Sequence, residues 1–275
     1  MAIDQCDAAG ELADFGEKLP RPLIDHRRDV TEAVTVMRVH PSVSAVLPAY
    51  NEEAVIAETV RRTAAALSEL GVVDFEILVV DDGSSDATAA RATAVNGLGA
   101  RLRVISHPHN RGYGAALRTG FDAATRDAVF LMDSDGQFDP IEISRLLALY
   151  GPDRVICGYR IRRRDTWVRR FYHKAFFGLV RLGFGPTTRD VNCAFKLFPA
   201  AVGQGLHADG ALVSTELLVR ARRAGYRLMD VGVHHYPRTT GRATGADIHV
   251  VLRAFRELWQ LRNDPAMLDG LEPPA

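Results

Sequence analysis

Val129-Phe130-Leu131-Met132-Asp133-Ser134-Asp135-Gly136-Gln137 points to the architecture of the whole chain. Four consecutive apolar residues read as a short strand buried on both faces, as in a parallel sheet. The two aspartates then fall just past its C-terminal end, the edge at which open α/β sheets bind ligands. Side chains two apart in an extended chain point the same way, so Asp133 and Asp135 can converge on one hard divalent cation. Such a cation keeps positions open for the oxygens of a diphosphate. Spacing alone leaves a second reading, in which the pair caps a turn.

The chain before this stretch repeats the pattern. Val43-Ser44-Ala45-Val46-Leu47 reads as a strand stopped by Pro48, and 52–70 as an Ala-rich helix with Val55, Ile56, Val60, Ala64 and Leu67 at helical spacing. Phe75-Glu76-Ile77-Leu78-Val79-Val80 is a second strand, ending in Asp81-Asp82-Gly83-Ser84 before a helix that begins at Ala87. Arg103-Val104-Ile105-Ser106 is a third, and a Gly-rich turn opens another helix near Tyr113. Four strand–helix alternations call for right-handed crossovers and a mainly parallel, Rossmann-like α/β sheet flanked by helices. Pro48-Ala49-Tyr50-Asn51-Glu52, Asp81-Asp82-Gly83-Ser84 and Asp133-Ser134-Asp135 then line one edge. There Tyr50 can stack on a base and Asp82 can accept from its imino or amino group; the bland reading of the second cluster is a turn with an N-cap. Beyond Pro140 the pattern predicts a helix over 141–150, a short strand Val155-Ile156-Cys157, a basic aromatic helix or helix pair over 166–184, a helix over 211–224, a strand over 226–234, a last helix over 248–262 and a disordered tail over 272–275.

The 275 residues allow one large α/β domain or two small ones, and 34 basic against 34 acidic residues remove any global argument for nucleic-acid or membrane affinity. Cys6, Cys157 and Cys193 show no metal spacing and suit a reducing compartment. No basic, apolar leader opens the chain and no stretch is long enough to span a bilayer, so a cytoplasmic location is expected. The organisation predicted is an extension over 1–41, a domain over 42–262 with a nucleotide-binding half (42–140) and an acceptor half (141–262), and a tail over 263–275.

Together with Asn110-Arg111-Gly112-Tyr113-Gly114, the three edge clusters resemble, in order and spacing, the family 2 glycosyltransferases of the GT-A fold. Within them the chain is most similar to the dolichyl- and polyprenyl-phosphate mannose (or glucose) synthases. The resemblance implies that Pro48, Tyr50, Glu52, Val80 and Asp82 hold the nucleotide and that Ser134 lies against the ribose. It implies that Asp133 and Asp135, with Gln137 close by, bind Mg²⁺ or Mn²⁺ bridging the diphosphate. Arg160 matches an arginine that touches phosphate, Arg169 one assigned to the acceptor phosphate, and Arg238 one that closes over the donor diphosphate. Arginine suits these tasks because its planar fork makes bidentate contacts with phosphate. Thr244 stands where the family usually has a lysine, and Arg242 can take over its charge. His173 replaces a small hydroxyl residue on the acceptor side.

The expected activity is therefore metal-dependent, inverting transfer of a hexose from GDP-mannose or UDP-glucose to a polyprenyl phosphate. The alternative is a hydroxyl acceptor, a cell-wall sugar or soluble metabolite, with Glu216 as general base; a phosphate acceptor needs no base, being ionised already. Asp190 is a second acidic candidate near the acceptor, and both acids also read as ordinary helix-terminus or capping groups. Basic and aromatic residues over 166–184 fit either a helix resting peripherally on the inner face of the membrane or a core helix with a basic rim. His107, His109, His207 and His249 give no ligand pattern.

Overall fold

The computed structural model describes residues 40–161, 178, 188–208, 210, 212–238 and 270–274. Nearly all of the 1–41 extension, the 166–184 segment except Gly178, and the helix expected over 248–262 lie outside these residues. Arg169, His173, Arg242 and Thr244 lie outside them as well.

Seven strands form one sheet in the order β3-β2-β1-β4-β6-β5-β7. The strands are β1 (Val43–Ala49), β2 (Phe75–Asp81), β3 (Leu102–Ser106), β4 (Ala128–Met132), β5 (Arg154–Ile161), β6 (Phe195–Pro199) and β7 (Arg227–His234). β1 runs parallel to both β2 and β4, β2 to β3, and β5 to β7. The chain order thus reverses at β1, which makes the crevice between the loops after β1 and β4 the expected ligand site of such a sheet.

Every residue of β1, β2 and β4 is buried because helices cover both faces. Alternation along β1 divides the core: Ala45 and Leu47 pack with α1 (Ile56–Glu69), α2 (Thr88–Thr93) and α4 (Ile143–Leu147). Val46 faces the other way, onto α3 (Tyr113–Ala123), α5 (Ala200–Gly203) and α6 (Val213–Arg223). A Cβ on Gly120 would lie 2.4 Å from Val46 Cγ1, so glycine is what lets α3 sit directly on β1. The apolar positions foreseen for α1, Ile56, Val60, Ala64 and Leu67, are buried as expected.

Two expectations need correction. β6 was not foreseen, and it is the strand that breaks the parallel pattern, pairing antiparallel with both β4 and β5. Lys196 interrupts its apolar run; the ammonium is fully buried and donates to the carbonyls of Val191, at 2.9 Å, and Cys193. β5 is eight residues long rather than three, because β7 pairs along all of it. Leu271, just ahead of the 272–275 tail, packs against the α6 side of the core.

Glu76 is an acid on the buried face of β2. Its carboxylate accepts from Ser44 Oγ (2.7 Å), Thr125 N (2.8 Å), Thr125 Oγ1 (2.8 Å) and Arg103 Nη1 (3.2 Å), which ties β1, β2 and the α3–β4 turn together. Burial pushes its pKa up, but these hydrogen bonds outweigh burial and hold it below the ordinary value of 4.5. A depressed pKa means stability that is fully present above the unfolded value and is lost as pH falls through the folded one. Glu76→Gln should therefore cost roughly 1–3 kcal/mol at neutral pH, with the gap from wild type closing in acid. Urea unfolding across a pH series measures it, and a gap that persists unchanged into acid would contradict this role.

Candidate active site

Loops leaving β1, β2 and β4 build the site, and they are bound to one another before any ligand enters. After β1, Asn51 adopts a left-handed conformation (φ 55°), which an Asn tolerates better than most residues. Its amide N–H donates to Ser84 Oγ (2.9 Å), and its side-chain oxygen accepts from Ser85 N (2.8 Å). Glu52 N donates to Thr88 Oγ1 (2.8 Å). Gly83 lies so close to the β3–α3 loop that a Cβ there would meet the His109 carbonyl carbon at 2.4 Å.

Asp82 sits at the centre of that junction. Oδ1 accepts from Arg111 N (2.9 Å) and lies 2.7 Å from His107 Nδ1; Oδ2 accepts from Gly112 N (2.8 Å). With the proton on Nδ1, His107 Nε2 is free to accept from Thr119 Oγ1 at 3.0 Å. A carboxylate offers about four acceptor sites, so three are used here and one remains for a base. Tyr50, 43% exposed, is available for stacking beside it. The Val80 side chain is fully buried and points toward Gly120, so it shapes the sheet beneath the site. Ser134 is buried, and its hydroxyl donates to the Pro48 carbonyl (2.6 Å), locking β4 to β1.

The carboxylates converge at the β1–β4 crevice. Arg238 Nη2 lies 3.0 Å from Glu52 Oε1 and 3.0 Å from Asp135 Oδ2, so one cationic nitrogen bridges two nearly buried acids. Asp135 Oδ1 accepts from Gln137 N at 3.0 Å. Asp133 accepts from the Tyr113 hydroxyl at 3.1 Å. Removal from solvent and then the Asp135 charge push Asp133 up to about 7, against the Tyr113 hydroxyl, Lys196 and Arg160. Burial also raises Glu52; Arg238 opposes the rise and Asp135 adds to it. Burial and the Asp133 charge hold the Tyr113 phenol well above its ordinary value, so it stays a donor. This is a concentration of negative charge that needs a cation. Among the described residues no three His, Cys, Asp or Glu side chains form a ready-made metal cage, so an ion here would complete its shell with ligand oxygens.

Gln137 does more than approach a metal. Its Nε2 donates to the Tyr236 carbonyl (2.8 Å) and its own carbonyl accepts from Tyr236 N (2.8 Å), which fixes the loop carrying Arg238. Glu142 fixes the same segment from the other side, accepting from His234 N (2.7 Å) and contacting His234 Nδ1 (2.7 Å). Sequence reasoning missed Glu142, Tyr113, His107 and Lys196 as site-building groups. Lys196 carried a usable signal, a lone charge inside an apolar run.

Near the end of β5, Arg160 forms a bidentate pair with Asp190, Nε to Oδ2 at 2.7 Å and Nη2 to Oδ1 at 2.9 Å. Glu216 stands apart from the carboxylate cluster. It is fully buried and accepts from His207 N (2.8 Å) and Ala208 N (2.7 Å), with His207 Nδ1 at 3.2 Å. That environment makes it the organiser of the 206–208 loop. Glu216→Gln should lower unfolding stability by roughly 1–3 kcal/mol, because an amide NH₂ would face two backbone donors. Denaturant titration tests this, and unchanged stability would contradict that role.

A profile described as "Glycosyl transferase family 2" matches residues 44–205, well over half of the chain and spanning the edge loops, β4 and β6. Solved structures share the fold. Glucosyl-3-phosphoglycerate synthase from Mycobacterium tuberculosis, in complex with phosphoglyceric acid, superposes with a TM-score of 0.64 at 24% identity, over 82% of this chain and 81% of that one. Mannosyl-3-phosphoglycerate synthase from Rubrobacter xylanophilus gives a TM-score of 0.64 at 20% identity, over 85% and 78%. A further structure of the mycobacterial enzyme, with Mn²⁺, UDP-glucose and phosphoglyceric acid, gives 0.61 at 24% identity, over 82% and 81%. Profile, sheet order and edge loops agree: this chain is a glycosyltransferase and belongs to glycosyl transferase family 2.

Proposed function

We propose that this enzyme moves a hexose from a nucleoside-diphosphate sugar to a small anionic hydroxyl acceptor, with Mg²⁺ or Mn²⁺ at Asp135 and Asp133. The observation that carries the reading is the meeting of Glu52, Asp135 and Arg238 at the strand-order reversal, where two acids already stabilise a positive charge. Oxygen donors of this kind fit a hard divalent cation. When bound, such an ion supplies Lewis-acid stabilisation of the departing diphosphate. Tyr50 stacks on the base and the remaining acceptor site of Asp82 takes one of its N–H groups. Asp82 also holds Arg111 and Gly112 at the start of α3, so donor binding and the shape of that loop are linked through one carboxylate. Arg238 and Arg160 supply cationic groups for the donor and acceptor sides respectively.

The acceptor class rests on likeness. The structures similar to this chain include synthases of glucosyl- and mannosyl-3-phosphoglycerate, and one holds phosphoglyceric acid together with UDP-glucose and Mn²⁺. This supports a soluble phosphorylated acceptor over the polyprenyl phosphate first expected, and among the described residues no helix is long and apolar enough to cross a membrane. A polyprenyl phosphate, held by Arg169 and reached along 166–184, is the competing reading.

One assay separates them. Purified protein with Mn²⁺ and UDP-glucose or GDP-mannose is offered 3-phosphoglycerate, glycerate or a polyprenyl phosphate, and nucleoside diphosphate release is followed. Release dependent on 3-phosphoglycerate is expected, with EDTA abolishing it and Asp135→Asn lowering it by about 10²-fold or more. Release only with the lipid phosphate would overturn the acceptor assignment.

A further inference from the structure

We infer that Arg238 holds the cation's place until the donor arrives, so that divalent metal and nucleoside diphosphate enter the site together rather than metal first. The inference rests on the metal-dependent reading above and concerns the order in which charges are exchanged. Arg238 Nη2 is 3.0 Å from both Asp135 Oδ2 and Glu52 Oε1. A hard divalent ion held by Asp135 would approach its carboxylate to about 2.0–2.6 Å, beside Glu52 and where the guanidinium already sits, so the guanidinium and the ion compete for that place. Glu52 and Asp135 are each only 9% exposed, and stripping either of its partner would leave a nearly buried charge unmatched.

The root of Arg238 is fixed while its head sits on a long side chain. Gln137 holds Tyr236 by two hydrogen bonds of 2.8 Å, and Glu142 grips the end of β7 through His234. A metal ion alone would have to compete with the guanidinium for both acids at once. A nucleoside diphosphate alone would meet Glu52 and Asp135 without a countercharge beyond Arg238. When both arrive, the acids pass from the guanidinium to the ion and the guanidinium passes from the acids to the diphosphate. Every charge then keeps a partner throughout. The same exchange gives Glu52 a role beside the metal that its sequence position, next to the nucleotide-holding Tyr50, did not suggest.

Mn²⁺ binding to the full-length protein, measured by electron paramagnetic resonance without turnover, tests the inference. Wild type, Arg238→Ala and Arg238→Lys are compared with and without UDP or GDP, and thermal melts confirm that each variant is folded. Without nucleotide, Arg238→Ala should bind Mn²⁺ roughly tenfold or more tightly than wild type, while Arg238→Lys, which keeps a cation on the same root, should stay near wild type. Adding nucleoside diphosphate should tighten Mn²⁺ binding strongly in wild type and much less in Arg238→Ala. Equal Mn²⁺ affinities for wild type and Arg238→Ala without nucleotide would overturn the inference and leave the metal-dependent reading intact. Failure of all three proteins to bind Mn²⁺ even with nucleotide would overturn both.

Discussion

Glu52 and Asp135 come from loops more than eighty residues apart, yet a single guanidinium nitrogen touches both. Two nearly buried carboxylates at that separation repel unless a positive charge lies between them, and the surrounding structure is arranged to supply one. The strand order places the loops after β1 and β4 side by side. Ser134 locks those two strands through the Pro48 carbonyl, and Gln137 and Glu142 hold the segment from which Arg238 reaches back. The sheet thus acts as a jig for concentrated negative charge at its C-terminal edge, where backbone geometry already favours ligand entry.

Several polar groups that look chemical in the sequence are spent on keeping this jig rigid. Asp82 uses three of its acceptor positions on His107, Arg111 and Gly112, and Glu216 is enclosed by the 206–208 loop. Lys196 is a buried ammonium satisfied by loop carbonyls ahead of β6, while its charge still opposes the rise in the Asp133 pKa. Buried charges persist only when such partners are supplied. A glycosyltransferase that binds a nucleotide-sugar donor gains from this economy, because loops fixed in advance cost little to order when the donor binds.

Much of the nucleotide half was legible because its signals are local. Mostly apolar runs of four to six residues end at Pro48, Asp81 and Asp133, and β1, β2 and β4 follow from them with small shifts at their ends. The spacing of Asp133 and Asp135 identified the ligand edge for the same reason. What escaped depended on distant pairing. β6 has a lysine in mid-strand and takes its direction from β4 and β5, and β5 reaches its full length only against β7. The burial of the Val80, Ser134 and Glu216 side chains was not legible, because a one-dimensional pattern does not show which face of a strand or helix turns inward. The Arg238 bridge was equally out of reach: the resemblance gave the arginine a diphosphate, and only the folded chain shows which acids hold it meanwhile.

The most direct test is anomalous diffraction at the manganese edge from crystals grown with Mn²⁺ and a nucleoside diphosphate. The account predicts a peak about 2.0–2.6 Å from an Asp135 carboxylate oxygen, with phosphate oxygens completing the shell and the Arg238 guanidinium moved onto the diphosphate. A metal bound elsewhere, with Arg238 still bridging Glu52 and Asp135 beneath a bound nucleotide, would contradict it.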